Sequence, residues 1–303
     1  MKKILVDANI IDKEKISFLC STNLIHKFKK SLKLYASDVV LKQRLAPLYF
    51  SNHKENYNFY IQFLKNYFEH KMVDFSGNIV QREINNSFNK TNIFGMYRIE
   101  HLVDRDSIYN KLGQYDAELD KTRKFEAGNN FKKFIADTKV KISKLSSNEE
   151  WKNYCYDFVK KYDFATQQLN RFLNNQNKYN RKIFTELLML WWEYSTVVGT
   201  LRYFNTQYAD DKTLDIIENG NISKNSFLYY QFIADKYIIN YCFTQDKRFD
   251  YDSPNDLIYI SLMKYFDILL TDDESFMKEC FNHMYPNKNK QILTLKEFVK
   301  RYK

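Results

Sequence analysis

Two short apolar runs stand near opposite ends of the chain, and each is closed by a carboxylate. Lys2–Val6 ends at Asp7, and Ile268–Leu270 ends in Thr271-Asp272-Asp273. A third run spans Gln291–Leu293, and weaker strand signals lie at Leu32–Tyr35 and at 72–75. Elsewhere apolar positions recur at helical spacing, which predicts helices over 56–70, 79–90, 125–143, 149–173, 180–207, 224–243 and 255–266. Short apolar strands alternating with helices predict an α/β fold, a parallel sheet covered on both faces. The strand signals sit at the two ends and the middle reads as helical. The expected organisation is therefore a discontinuous domain of residues 1–90 and 245–303 carrying an all-α insertion over 91–244. With only 6 Gly and 3 Pro in 303 residues, no flexible linker marks either seam.

Composition adds a polyanion-seeking charge and removes several function classes. The net charge of +10 favours encounter with nucleic acid, although acidic and basic residues are interspersed and each short Lys cluster reads as a solvated face. The 17% aromatic share is spread along the whole chain, so it reads as core and surface filler. Trp191-Trp192 reads as helix core, and Lys178-Tyr179-Asn180-Arg181-Lys182 as a solvated helix start. Cys20, Cys155, Cys242 and Cys280 lack zinc or disulfide spacing and read as free thiols, and the five histidines form no ligand-like pair. The apolar run before Asp7 is too short for a signal peptide, and the run 183–198 is broken by Glu186 and Glu193. A cytoplasmic protein with no membrane association is expected.

The chemistry concentrates where strands end. Ser253-Pro254-Asn255-Asp256 has the pattern of a helix start, with Ser253 as cap and Asp256 as the capping-box acid. Thr294-Leu295-Lys296-Glu297 repeats that pattern after the last strand. In open α/β sheets ligands collect at the carboxyl ends of the strands, near a reversal of strand order. Asp7, Asp256 and Asp273 would meet there if their strands are neighbours. Three clustered carboxylates suit a hard divalent cation, Mg²⁺ or Mn²⁺, which activates water and stabilises the leaving oxygen of a phosphodiester. Without a cation they would repel, and one would be driven to protonate. Each has a structural explanation as well: strand terminator for Asp7, capping acid for Asp256, helix start for Asp272 and Asp273.

Taken in order, these segments resemble PIN-like domain nucleases. Val6-Asp7-Ala8-Asn9-Ile10-Ile11 is similar to that family's opening strand, Asn255-Asp256-Leu257-Ile258-Tyr259-Ile260-Ser261 to its third acidic motif, and Ile268 through Phe276 to its closing strand with Thr-x-Asp. Ile292-Leu293-Thr294-Leu295-Lys296-Glu297-Phe298 resembles the final strand-to-helix turn. The resemblance covers roughly the first 90 and last 60 residues. It implies a PIN-like three-layer fold with a helical insertion, a Mg²⁺ or Mn²⁺ site on Asp7, Asp256 and Asp273, and cleavage of single-stranded RNA in preference to DNA. Asn9, Thr271 and Asp272 would support the site. For the family's second acid two positions compete. Gln43 has the better spacing but lacks the charge; Glu83 supplies the carboxylate and is the preferred candidate.

The expected activity is thus a metal-dependent ribonuclease in which metal-activated water attacks a phosphate. The size of the insertion suggests regulated cleavage, as in stress or phage defence, with a homodimer or an inhibitory protein as partner. The alternative is a catalytically weak PIN-like scaffold that binds RNA or protein. A haloacid-dehalogenase-like phosphatase would want a second Asp where Asn9 stands.

Overall fold

In the computed structural model the short apolar runs become one parallel sheet in the order β2-β1-β5-β6: β1 (Lys2–Val6), β2 (Leu32–Tyr35), β5 (Ile268–Leu270) and β6 (Gln291–Leu293). The description covers residues 1–50, 53–100, 117–161, 165–204, 216, 218–247, 253–286 and 289–303. Ile4, Leu5 and Val6 of β1 and all of β5 are buried, as strands covered on both faces require. The register sets Ile4 beside Leu34 and Ile268, and Val6 beside Leu270.

The sheet continues outward beyond β2. Phe68 bridges Leu34 and Val73 bridges Ser37 in parallel, with N–H bonds from Glu69 to the Leu34 carbonyl (2.8 Å) and from Val73 to the Ala36 carbonyl (2.9 Å). This segment contains β3 (Lys71–Val73), which pairs antiparallel with β4 (Phe94–Arg98). The chain therefore winds from β1 through β2 to β3, then returns to the far side of β1 for β5 and β6. The reversal of strand order falls between β1 and β5.

Helix Lys13–Cys20 links β1 to β2, with Asp12 accepting from the Glu14 N–H as its cap. After β2 the helical stretch Asp38–Val40, Leu41–Leu45 and Ala46–Phe50 contains a π-helical turn over Leu41–Leu45. Helices Lys54–Tyr67 and Ser76–Asn85 flank β3. Helix Ser253–Leu262 leads into β5, Phe276–Met284 follows it, and Leu295–Tyr302 follows β6. The expected capping box at Thr294 and Glu297 is present, whereas helix Ser253–Leu262 begins at Ser253 itself, the residue expected to precede it as cap.

Two compact units are distinguished: Met1–Arg123 with Asp252–Lys303, and Lys124–Tyr251. Their seams lie after 123 and 251, whereas the sequence pattern predicts them after 90 and 244. β4 corrects the expectation of helix throughout 91–244, because this strand lies inside that range. The stretch expected as one helix over 149–173 is two, Asn148–Val159 and Thr166–Asn174. Together with Arg181–Phe204, Phe227–Phe243 and most of Ala117–Ile142 they make the second unit. Its buried core includes Phe184, Leu187, Leu188, Phe227 and Ile239. Trp191 and Trp192, expected as helix core, are only half-buried: Trp191 packs on Phe134 and Phe158, each at 5.4 Å, and Trp192 on Phe131 at 4.7 Å. Tyr179, from the stretch read as a solvated helix start, is buried and donates to the Leu173 carbonyl (2.9 Å). Among the described residues no helix is long and apolar enough to cross a membrane.

Candidate metal centre

β1 ends one residue before Asp7, whose N–H still pairs with the Leu270 carbonyl of β5 at 3.0 Å. Its carboxylate caps the tight turn Ala8–Ile10 through the Asn9 N–H. On the neighbouring strand Thr271 extends the ladder, donating its N–H to the Leu293 carbonyl at 3.0 Å. Residues 264 positions apart are thereby set side by side at the reversal of strand order, the place where α/β sheets bind ligands.

The Thr271 hydroxyl organises the junction. It donates to Asp7 Oδ2 at 2.6 Å and accepts from Asn9 Nδ2 and from the Asp273 N–H, each at 3.0 Å. The Asp272 N–H closes the circle on Asn9 Oδ1 at 3.3 Å. Asp273 faces its own helix start, with Oδ1 accepting from the N–H and hydroxyl of Ser275 at 2.8 and 2.9 Å.

The adjacent aspartates differ in role. Asp272 is clamped: Oδ2 pairs with Lys15 Nζ at 2.7 Å, and Oδ1 accepts from the Leu295 N–H at 2.9 Å. Lys15 also donates to the Asn9 carbonyl (2.9 Å), and Arg44 Nε donates to the Ala8 carbonyl (2.8 Å). Asp7 and Asp273 form no ion pair among the described residues. Burial pushes the Asp7 carboxyl above its usual range. The Thr271 hydroxyl and the Asn9 and Ala8 amides pull it back in part, and the charge of Asp273 raises it further.

Helix Ser253–Leu262 braces the turn from below. The phenol oxygen of Tyr259, a fully buried side chain, accepts the Ala8 N–H at 2.9 Å. Burial, and then the nearby Asp7 charge, hold that phenol well above its ordinary titration range, so it remains neutral. Asp256 lies one turn earlier on this helix, half-buried in the first turn, where the helix dipole favours a carboxylate.

The expected three-carboxylate group is not assembled. Among the described residues no three His, Cys, Asp or Glu side chains are grouped to hold a metal ion. Asp7 and Asp273 come together, and neither Asp256 nor Glu83 joins them in such a group. Glu83 is completely buried on helix Ser76–Asn85 and accepts from the Tyr265 hydroxyl at 3.3 Å. Gln43 is exposed on the π-helical turn.

Two further carboxylates line the same edge of the sheet and were missed in the sequence reading. Asp38 follows β2, is 1% exposed and pairs with Lys42 at 2.9 Å. Burial raises its carboxyl, Lys42 lowers it, and Asp74 raises it again. Asp74 follows β3, pairs with Arg82 and accepts from Asn78 Nδ2 at 3.0 Å. The available signal was a repeated one: an apolar strand closed within three residues by Asp, at Val73-Asp74 and at Tyr35-Ala36-Ser37-Asp38 as at Val6-Asp7. Unlike Asp7 and Asp273, these two carry their own cations.

Comparison of the chain with protein-family models, with curated proteins and with solved structures found no match in any of the three.

Proposed function

We propose that the chain is a PIN-like, metal-dependent nuclease whose centre lies at the β1–β5 junction, with single-stranded RNA as substrate. The observation that carries this reading is the Thr271-centred junction. It sets two carboxylates from opposite ends of the chain against each other at the strand-order reversal, while Asp272, Asp38 and Asp74 beside them each have a cationic partner. Carboxylate and hydroxyl oxygens suit Mg²⁺ or Mn²⁺, and Asp7 and Asp273 would hold the ion. The bound ion would supply Lewis-acid activation of water and charge neutralisation at the phosphate.

The chain's own residues do the rest. Thr271 and Asn9 fix the Asp7 carboxylate in one orientation, so it needs no rearrangement to bind. Lys15 and Arg44, tied to the carbonyls of Asn9 and Ala8, set positive charge around the β1 turn, and the net charge of +10 draws a polyanion to it. The preference for RNA over DNA and a role in stress or phage defence follow from the PIN-like resemblance.

The test is cleavage of a single-stranded RNA with Mn²⁺, repeated with Asp273→Asn. Metal-dependent cleavage that Asp273→Asn abolishes supports the nuclease. Equal, metal-independent background in both favours the second reading, a catalytically weak scaffold binding RNA or protein. That reading is favoured by the ungrouped Asp256 and Glu83 and by the exposed Gln43.

A further inference from the structure

A cavity of about 450 Å³ opens between helix Lys13–Cys20 and the first turn of helix Leu295–Tyr302. The Lys15–Asp272 ion pair forms part of its wall, and Asp272 is the residue next to Asp273, so the cavity adjoins the carboxylate edge. Its size is that of a small-molecule site.

The lining has an unusual chemistry for a surface hollow. Phe18 is 43% exposed, one of few large apolar side chains left in solvent among the described residues, and it lies in this concavity. Phe18 follows Glu14 by four positions and Lys15 by three, so the three share one helix face. Leu295 adds apolar surface, and Glu14, Glu274 and Lys296 contribute charged groups. All three of those side chains are exposed, and among the described residues none makes a side-chain hydrogen bond or ion pair. An exposed aromatic face with free carboxylates beside it fits a planar, apolar-faced ligand that carries hydrogen-bond donors on its edge.

We propose that this cavity is a subsite for an unpaired nucleobase of the substrate strand, with guanine preferred. The inference rests on the nuclease reading for its position and on the cavity for its chemistry. Phe18 provides the stacking surface, since every base has a π-face. A Glu carboxylate accepts two hydrogen bonds side by side, and guanine presents two adjacent donors, N1–H and the 2-amino group. Uracil offers a single N–H flanked by two carbonyl oxygens, which a carboxylate repels. Lys296 provides a charge for the strand's phosphate at the mouth of the cavity.

The experiment is anisotropy binding of labelled single-stranded RNA octamers to the full chain in EDTA, so that no cleavage intervenes. One octamer is all uracil, and the other carries a single guanine. The guanine octamer is expected to bind more tightly to the unmodified chain. Phe18→Ala should weaken that binding about tenfold, with Phe18→Trp restoring it. Glu14→Gln combined with Glu274→Gln should erase the preference for guanine. Equal affinity for both octamers, or no effect of Phe18→Ala in a chain with an unchanged melting profile, overturns the proposal. The nuclease reading fails separately. If Mn²⁺-dependent cleavage of all-uracil RNA disappears in Asp273→Asn while Phe18 is without effect, the subsite alone falls. If Phe18 and the glutamates control binding but nothing is cleaved, the subsite stands on a scaffold.

Discussion

Replacing Thr271 by Val keeps the shape of the side chain and removes the hydroxyl at the centre of the junction, so the loss reads hydrogen bonding rather than packing. Thr271 is 1% exposed, and its hydroxyl makes three bonds, one donated to the Asp7 carboxylate at 2.6 Å and two accepted at 3.0 Å. A bond to a charged group is worth about 1.5–3 kcal/mol and a neutral one about 1 kcal/mol. Asp273 is only half-buried, so its freed N–H can turn to water. The expected destabilisation is therefore about 2–3 kcal/mol, less than the naive sum. Most of it should come from leaving the Asp7 charge poorly solvated, which a double-mutant cycle isolates. In an Asp7→Asn background the same substitution should cost only about 1 kcal/mol, giving a coupling of about 1–2 kcal/mol. Asp7→Asn by itself should be neutral or stabilising, because it removes a buried charge that has no cationic partner among the described residues. Urea unfolding of the four proteins, followed by tyrosine and tryptophan fluorescence, measures all of this. A loss below about 0.5 kcal/mol for Thr271→Val, or strict additivity of the two changes, would refute the reasoning.

Tyr259→Phe leaves the ring in place and orphans the Ala8 N–H, so it should cost about 1–3 kcal/mol in the same assay. Gly95→Ala should destabilise by about 1–3 kcal/mol: its Cβ would sit 2.6 Å from Asp74 Cγ, and Arg82, Asn78 and the Phe75 N–H pin that carboxylate. In the helical unit, burial alone pushes the Asp235 carboxyl from its ordinary 3.8 up to about 7. The folded state then holds a proton that the unfolded state has released, so this group's contribution makes stability fall as pH rises from about 4 to about 7, then level off. The full effect would be about 4 kcal/mol, reduced by whatever solvent reaches the side chain. Asp235→Asn should match the parent near pH 4 and exceed it in urea midpoint above pH 7; a constant difference across that range contradicts the assignment.

How much of this was readable beforehand depended on whether the cause was local. β1 and β5 were readable because a buried parallel strand is a short apolar run, and Asp7 and Thr271 mark where those runs meet the loops; β6 is half-buried and was readable from the apolar pair Ile292-Leu293 ahead of a capping box. That the two ends share one sheet was readable from the strand signals gathered there, but not which strands are neighbours, since no local signal links residues 264 positions apart. β4 was hidden because Gly95 weakens the strand pattern, and the reason for that glycine is a close approach by Asp74, a tertiary fact. Asp272 and Asp273 look equivalent in sequence and separate only when Lys15 and the Leu295 N–H clamp the first. Asp256 illustrates the opposite limit. Its pattern fits both a helix-start acid and a metal ligand, and the fold places it in the first turn of its helix without grouping it with Asp7 and Asp273.

Titration of Mn²⁺ into the full chain, read by the loss of the free-ion paramagnetic resonance signal, addresses the proposed centre most directly. One ion per chain is predicted, lost with Asp7→Asn and with Asp273→Asn and retained with Asp272→Asn, whose carboxylate is already held by Lys15. No bound ion in the parent chain, or the same binding in all four proteins, would contradict a metal centre between β1 and β5.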